Sequence, residues 1–299
     1  MTRVEAGVTD RLQEAFSAAA VTGLLHVRDI DGDAEAGLRA DEPVVTASVF
    51  KIPVALELAR RAADGDLDLT ERVRVGAGDR TIGPTGLSRM SDEVELSLRD
   101  LAHLMMTISD NTATDVLMRR LGTARINETL KSLGLDQTVL VGDCQILLSS
   151  LAEDLGIDLE TPVDLNEIDP KLFESARTLR AEETTRTTPR EMTGLLQMIW
   201  LDKAGPPEAC AEVRRLMGLQ FAPHRFSSAF PDGIQLSAKT GTLPGIRNEA
   251  GVVEYPDGGR YAAAVFTVAG HFEWRNPEAD RVVGTAASIA VEQLRKESI

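Results

Sequence analysis

Lysine is scarce in this chain, with six residues against twenty-six arginines. Arginine is therefore the default cation, and a lysine kept where arginine would serve hints at proton traffic. A buried or crowded lysine can release its proton, whereas arginine in practice cannot. Cysteine is scarcer still. Cys144 and Cys210, with four scattered histidines, give no zinc-type spacing and read as buried free thiols, so no metal or organic cofactor is expected. No Lys/Arg-rich run interrupts a net charge of −15, which argues against nucleic acid or an anionic membrane as partner. Long apolar runs are missing as well. The opening "MTRVEAGVTDRLQEAFSAAA" carries Glu5, Asp10, Arg11 and Glu14, so it is not a signal peptide. As written the chain reads as cytoplasmic, or as secreted if a leader has been removed.

What is present describes an ordinary globular protein: 299 residues, 43% hydrophobic and 26% charged, enough for one domain or two packed lobes. Residues 4–19 have helical spacing. "GLLHVRDI" (23–30) and "AEAGLRA" (34–40) read as a hairpin around "DGD". From Ser48 the apolar period is helical for about 170 residues. "SLRD" (97–100) and "TPRE" (188–191) are capping boxes, and "LG" at 121–122 and 133–134 supplies helix stops. After about residue 220 strands return in "GIQLSAKTGT", "EAGVVEY" and "RYAAAVFTVAG", and a last helix spans about 278–295. Strands at both ends with helices between predict an α+β, two-lobed fold. One antiparallel sheet is built from both termini and flanked by the terminal helices, with an inserted all-helical lobe. A single domain of 1–299 then divides into lobes 1–47 plus 219–299 and 48–218. The stretch 142–186, acidic and broken by two prolines, reads as a functional loop or an insertion.

Three segments carry chemistry. In "TASVFKIPVALELA" (46–59), Pro53 is best tolerated in a first helical turn, which starts the helix near Ser48. Ser48 then lies at the positive end of the helix dipole with Lys51 one turn on along the same face. Backbone N–H groups there can hold an oxyanion, and Lys51 can serve as base if a second cation lowers its pKa. "ISDNTATD" (108–115) offers the Ser109 hydroxyl as a proton relay to a leaving nitrogen and the Asn111 carboxamide for a substrate amide. "AKTGT" (238–242) offers Lys239 as the second cation, hydroxyls at Thr240 and Thr242, and Gly241 for close approach of a substrate. The Thr242 N–H is a candidate oxyanion donor. Taken singly, each motif has a plain reading: a surface lysine on a helix, a capping turn, a strand end. Their order together is specific.

Ser-x-x-Lys, Ser-Asp-Asn and Lys-Thr-Gly in this order resemble the signature of class A β-lactamases and penicillin-binding proteins. The resemblance runs over nearly the whole chain and includes the "TTPREMTGLL" helix start. It implies a serine hydrolase that opens a β-lactam or similar activated amide through a Ser48 acyl-enzyme, with Lys51 as base partner and Ser109 as proton shuttle. It further implies that Asn111 holds the acyl-amide side chain and that Lys239, Thr240 and Thr242 bind a substrate carboxylate. The Ser48 and Thr242 N–H groups would form the oxyanion hole. Arg247 lies near where many such enzymes carry a carboxylate-binding arginine, and a structural role is the alternative. The pattern departs in one place. "DLNEIDP" (164–170) keeps Asn166, but Pro162 stands where the deacylating Glu is expected, and Glu160, Glu167 and Glu174 are the possible stand-ins. Acylation therefore looks complete, and deacylation slow. Two alternatives use the same scaffold: an intracellular esterase, amidase or acyltransferase for a small metabolite, and a penicillin-binding sensor that stays acylated. The expected partner is a small molecule; the sequence leaves the oligomeric state open.

Overall fold

The structure is a computed structural model that describes residues 3–158, 161, 164–222 and 224–297. The chain opens with α1 (Arg3–Ala18), β1 (Val21–Asp29), β2 (Glu35–Leu38) and the short β3 (Val44–Val45). A 3-10 turn at Ala47–Phe50 leads into α2 (Lys51–Ala63), then β4 (Arg72–Val75), β5 (Val94–Ser97), α3 (Leu98–Thr107), α4 (Asn111–Leu121) and α5 (Thr123–Ser132). Next come α6 (Cys144–Leu155), α7 (Pro170–Ser175), β6 (Arg186–Thr187), α8 (Pro189–Trp200), α9 (Pro207–Met217) and α10 (Phe226–Ala229). Strands β7 (Gln235–Leu243), β8 (Ile246–Glu254) and β9 (Arg260–Ala269) precede the closing helix α11 (Pro277–Glu297).

The main sheet has the order β2-β1-β9-β8-β7 and is antiparallel throughout, so the N-terminal hairpin joins the C-terminal strands as expected. The terminal helices cover one face: Leu12 and Phe16 of α1 and Val283, Ala287 and Val291 of α11 share a core with Val265 and Leu25. The other face packs on the larger core of α2, α3, α4, α8 and α9. The expected caps are made. Ser97 Oγ accepts from Asp100 N–H and Thr188 Oγ1 from Glu191 N–H, each satisfying a donor that a helix start leaves open.

The middle segment is not all-helical. Arg72-Val73-Arg74-Val75 alternates, buries Val75 and pairs antiparallel with β5, and its outward arginines meet Glu95 and Glu93. A second ribbon joins β3 to β6 just ahead of the Ser48 turn. The stretch 142–186 holds more order than its composition suggests. Leu151, Leu155, Leu165 and Phe173 bury a core of their own against Val45, Ala47, Leu243 and Ile246. Among the described residues no helix is long and apolar enough to cross a membrane.

Candidate active site

The turn that carries Ser48 is built under strain. Ala47 has φ 44° and Ser109 has φ 60°, so both serine-bearing turns use the left-handed region, which costs a non-glycine residue about 1–3 kcal/mol. Such strain persists where surrounding contacts hold it. At Ser48 those contacts are Thr46, whose N–H donates to Thr185 O, and Asn248, whose Nδ2 donates to Val45 O at 2.8 Å and Thr46 O at 3.2 Å. Ser48 is half-buried on the 3-10 turn, where a first-turn N–H has no intrahelical acceptor.

Lys51 is fully buried and points at the second motif. Its Nζ donates to Ser109 O at 2.7 Å, Asn111 Oδ1 at 2.9 Å and Ser109 Oγ at 3.2 Å. Lys239, also fully buried, donates to the same Ser109 Oγ at 3.0 Å and to Thr240 O at 3.0 Å. One half-buried hydroxyl thus stands between two buried amines. Burial pushes the Lys51 pKa down, opposed by Cys144, Asp115 and Asp110. Lys239 is pushed further, by burial and then by the positive charges of Lys51 and Arg225. Burial is the leading cause at both amines, and the mutual repulsion of Lys51 and Lys239 disfavours charging both at once.

The remaining predicted residues take these places. Asn111 is engaged at both ends of its amide, accepting from Lys51 and donating to Ile82 O at 2.8 Å, so its first task is to hold Lys51. Asp110 caps α4 through Ala113 N–H and accepts from Leu87 N–H at 2.7 Å, a structural role. Strand β7 is the sheet edge. Thr240 N–H points outward from it to Gln220 Oε1, so Thr242 N–H, two residues on, faces the same free edge. Gly241 departs from expectation. A Cβ there would meet Thr46 O at 2.5 Å and Ser48 N at 3.2 Å, so its bare face is filled by the chain's own 46–48 turn and leaves that side no room for a substrate. That packing brings the Ser48 backbone N against β7 at Gly241, one residue before Thr242. Arg247 is buried and donates to Leu243 O and Ile246 O, which makes it a brace of the β7–β8 turn.

Several residues carry no motif and were missed. Arg225 is buried and donates to Gly241 O, Asn248 O and Thr242 Oγ1 at 2.9, 2.6 and 2.7 Å, with Asp280 2.8 Å from its Nε. Gly284 on α11 makes room for it, since a Cβ there would lie 2.2 Å from Arg225 O. Buried Glu249 accepts from Phe226 N–H and Gln220 Nε2, and burial raises its pKa. Asp115 accepts from Thr81 Oγ1, Cys144 N–H and Gln145 N–H at 2.6, 2.8 and 2.9 Å. It thereby fixes the start of α6 and brings the Cys144 thiol beside Lys51, where burial pushes the thiol pKa up to about 12. Only buried hydrogen-bond partners mark these residues, and single-sequence spacing does not encode them. Of the carboxylates weighed for deacylation, Glu167 and Glu174 are exposed, and Glu160, like Pro162, lies outside the described residues.

The family model described as "Beta-lactamase enzyme family" matches residues 7–294. The chain belongs to the β-lactamase family. It is 29% identical over 301 residues to the "Beta-lactamase regulatory protein BlaB" of Streptomyces cacaoi, covering 95% of this chain and 96% of that protein. Among solved structures it resembles a β-lactamase from Sphaerobacter thermophilus, with TM-score 0.75 and 25% identity over 94% of this chain and 95% of the other. It also shares the fold of a point mutant of PBP-A, solved as an acyl-enzyme complex with penicillin G. There the TM-score is 0.78 at 20% identity, over 97% of both chains. In this β-lactamase-like chain side chains of the three motifs meet at Ser109, whose hydroxyl accepts from both Lys51 and Lys239.

Proposed function

We propose that the protein opens a β-lactam or similar activated amide onto Ser48 and then keeps the acyl group for a long time. The observation that carries this is the Ser109 hydroxyl between two buried amines, 3.2 Å from Lys51 Nζ and 3.0 Å from Lys239 Nζ. Neutral Lys51 takes the Ser48 proton as Oγ bonds to the carbonyl carbon. The Ser48 and Thr242 N–H groups receive the oxyanion. The C–N bond then breaks, and the proton passes from Lys51 through Ser109 to the departing nitrogen. Lys239 with Thr240 and Thr242 favours a substrate that carries a carboxylate.

Slow release is favoured because the side chain brought beside Lys51 by α6 is the neutral thiol of Cys144, which cannot activate a water as a carboxylate would. Likeness to a regulatory protein supports the same reading, since a persistent acyl state suits sensing. The test is time-resolved mass spectrometry after mixing with a penicillin, a cephalosporin and a thioester. A single adduct mapping to Ser48 and persisting for many minutes is expected. An adduct on any other residue overturns the mechanism. Fast decay abolished by Glu160→Gln or Glu174→Gln would show that a hydrolytic base is present. Preference for the thioester would favour the esterase or acyltransferase alternative.

A further inference from the structure

Strand β7 is a sheet edge, and the N–H and C=O groups of alternate residues along it point away from β8. Such a row is a template on which an extended chain can pair. At Thr242 the N–H faces the free edge. Thr240, the next outward position, has nothing free. Its N–H donates to Gln220 Oε1, and its carbonyl accepts from Lys239 Nζ at 3.0 Å.

Gln220 is not a loose surface side chain. Its Nε2 donates to Glu249 Oε1 at 3.0 Å, and Glu249, 1% exposed, takes the Phe226 N–H on its other oxygen at 2.6 Å. Glu249 lies directly across the ladder from Thr240, so carboxylate, carboxamide and the Thr240 N–H form one chain of hydrogen bonds. The backbone is held as well: Gln220 N–H donates to Met217 O at 3.3 Å and Phe221 N–H to Thr107 O at 3.0 Å. Neither Gln220 nor Glu249 belongs to a motif, and the acylation step uses neither.

The filled position lies at the leaving-group end of the site. Ser109 Oγ, which passes the proton to the departing nitrogen in the mechanism above, is 3.0 Å from Lys239 Nζ. The departing nitrogen therefore lies toward Lys239 and Thr240, while the carbonyl oxygen lies at the Thr242 N–H. Successive outward groups on one edge are about 7 Å apart, which leaves length for about one residue before the Gln220 carboxamide is met.

We infer that Gln220, held by Glu249, is a specificity-determining stop: the site takes compact leaving groups and rejects an acyl donor whose chain continues past the scissile bond. The specificity rests on the acylation proposed above; the hydrogen-bonded stop does not.

The experiment has two arms. In the first, amide hydrogen exchange is read by NMR in the wild type and in Gln220→Ala. The Thr240 N–H should exchange more slowly than that of Thr242 in the wild type, and about fivefold faster once Gln220 is removed, the net worth of one hydrogen bond. Exchange at Thr240 that is the same in both proteins overturns the stop. In the second arm, Ser48 acylation is timed by mass spectrometry with two benzoylglycyl thioesters, whose leaving thiols are thioglycolamide and thioglycolyl-glycyl-glycinamide. Ser48 Oγ bonds to the carbonyl carbon, the C–S bond breaks and the thiol departs with the proton, so both compounds leave the same adduct. Both leaving groups are uncharged, so Lys239 favours neither. The short thioester should react about tenfold faster with the wild type, a usual scale for misplacement at a reacting centre, and the ratio should fall to near one in Gln220→Ala. Glu249→Gln, which turns an NH2 group toward one of its two donors, should lower the ratio too, and an unchanged ratio there overturns the role of Glu249. Equal rates in the wild type overturn the specificity. Equal slowing of both thioesters in Gln220→Ala would make Gln220 a structural brace and overturn it as well. Absence of any adduct defeats the acylation proposal and the specificity with it, while the exchange arm still decides the stop.

Discussion

A lysine that takes a proton from Ser48 must spend part of its time neutral, and burial at position 51 favours this. The hydrogen bonds to Ser109 O and Asn111 Oδ1 fix where that amine points. Arginine at 51 would keep the charge and lose the base. Lys51→Arg is expected to slow Ser48 acylation a hundredfold or more, roughly the usual loss when a general base is removed. Rapid-quench mass spectrometry measures it. Retention of more than about a tenth of the rate would make Lys51 a structural residue. This part of the site was legible in the sequence because a helix start and a three-residue offset determine which side chains share a face. Arg225 and Asp115 were not legible, because their work is done on partners far along the chain.

Elements position the site through two close approaches. At the first, β7 lies against the Ser48 turn with no room for a side chain at 241. Gly241→Ala would drive a Cβ onto Thr46 O, which is backbone and cannot rotate aside. A loss of about 1–3 kcal/mol in urea unfolding is expected, as for other overpacked interiors, with slower acylation because the Ser48 N–H, the proposed oxyanion donor, is displaced with its turn. A fall in stability with acylation unchanged would remove Gly241 from the assembly of the oxyanion hole. At the second approach, Asp115 holds the start of α6. Asp115→Ala strips the acceptor from Thr81, Cys144 and Gln145, at a cost of about 1–3 kcal/mol for each donor left buried and unpaired. Limited proteolysis should then cut first within 145–186, and an unchanged cleavage pattern would deny Asp115 that anchoring role. Helical periodicity disclosed α8, which buries one regular face, and continuous apolar runs disclosed β8 and β9, which are buried on both faces. Neither disclosed the β4–β5 ribbon, whose four-residue strands are too short to outweigh the helical surroundings.

The molecule as a whole carries the cost of two buried amines, and that cost should depend on pH. A lysine whose pKa falls on folding binds fewer protons in the native than in the unfolded chain between its two values. Stability contributed by such a group therefore rises with pH across that interval, up to the ordinary lysine value of 10.5. Other groups run against this. Glu249 and Asp115, with raised pKa values, lose stability as pH rises toward those values, and Cys144 does so between its ordinary 9.0 and about 12. The lysine effect is isolated by comparison with Lys51→Met and Lys239→Met, which keep chain volume in the core and remove the titration. At pH 7 each variant should be more stable than the wild type by about 1–2 kcal/mol, because functional sites retain groups that the fold would lose without penalty. That advantage should shrink steadily as pH is raised from 7 toward 9, and the Cys144 thiol, whose ordinary value is 9.0, titrates alike in wild type and variants and so drops out of the comparison. Urea unfolding at four pH values in this range measures it. A constant advantage would mean that neither amine titrates there, and a widening one would mean that folding raises their pKa values, which would leave Ser48 without a neutral base at physiological pH.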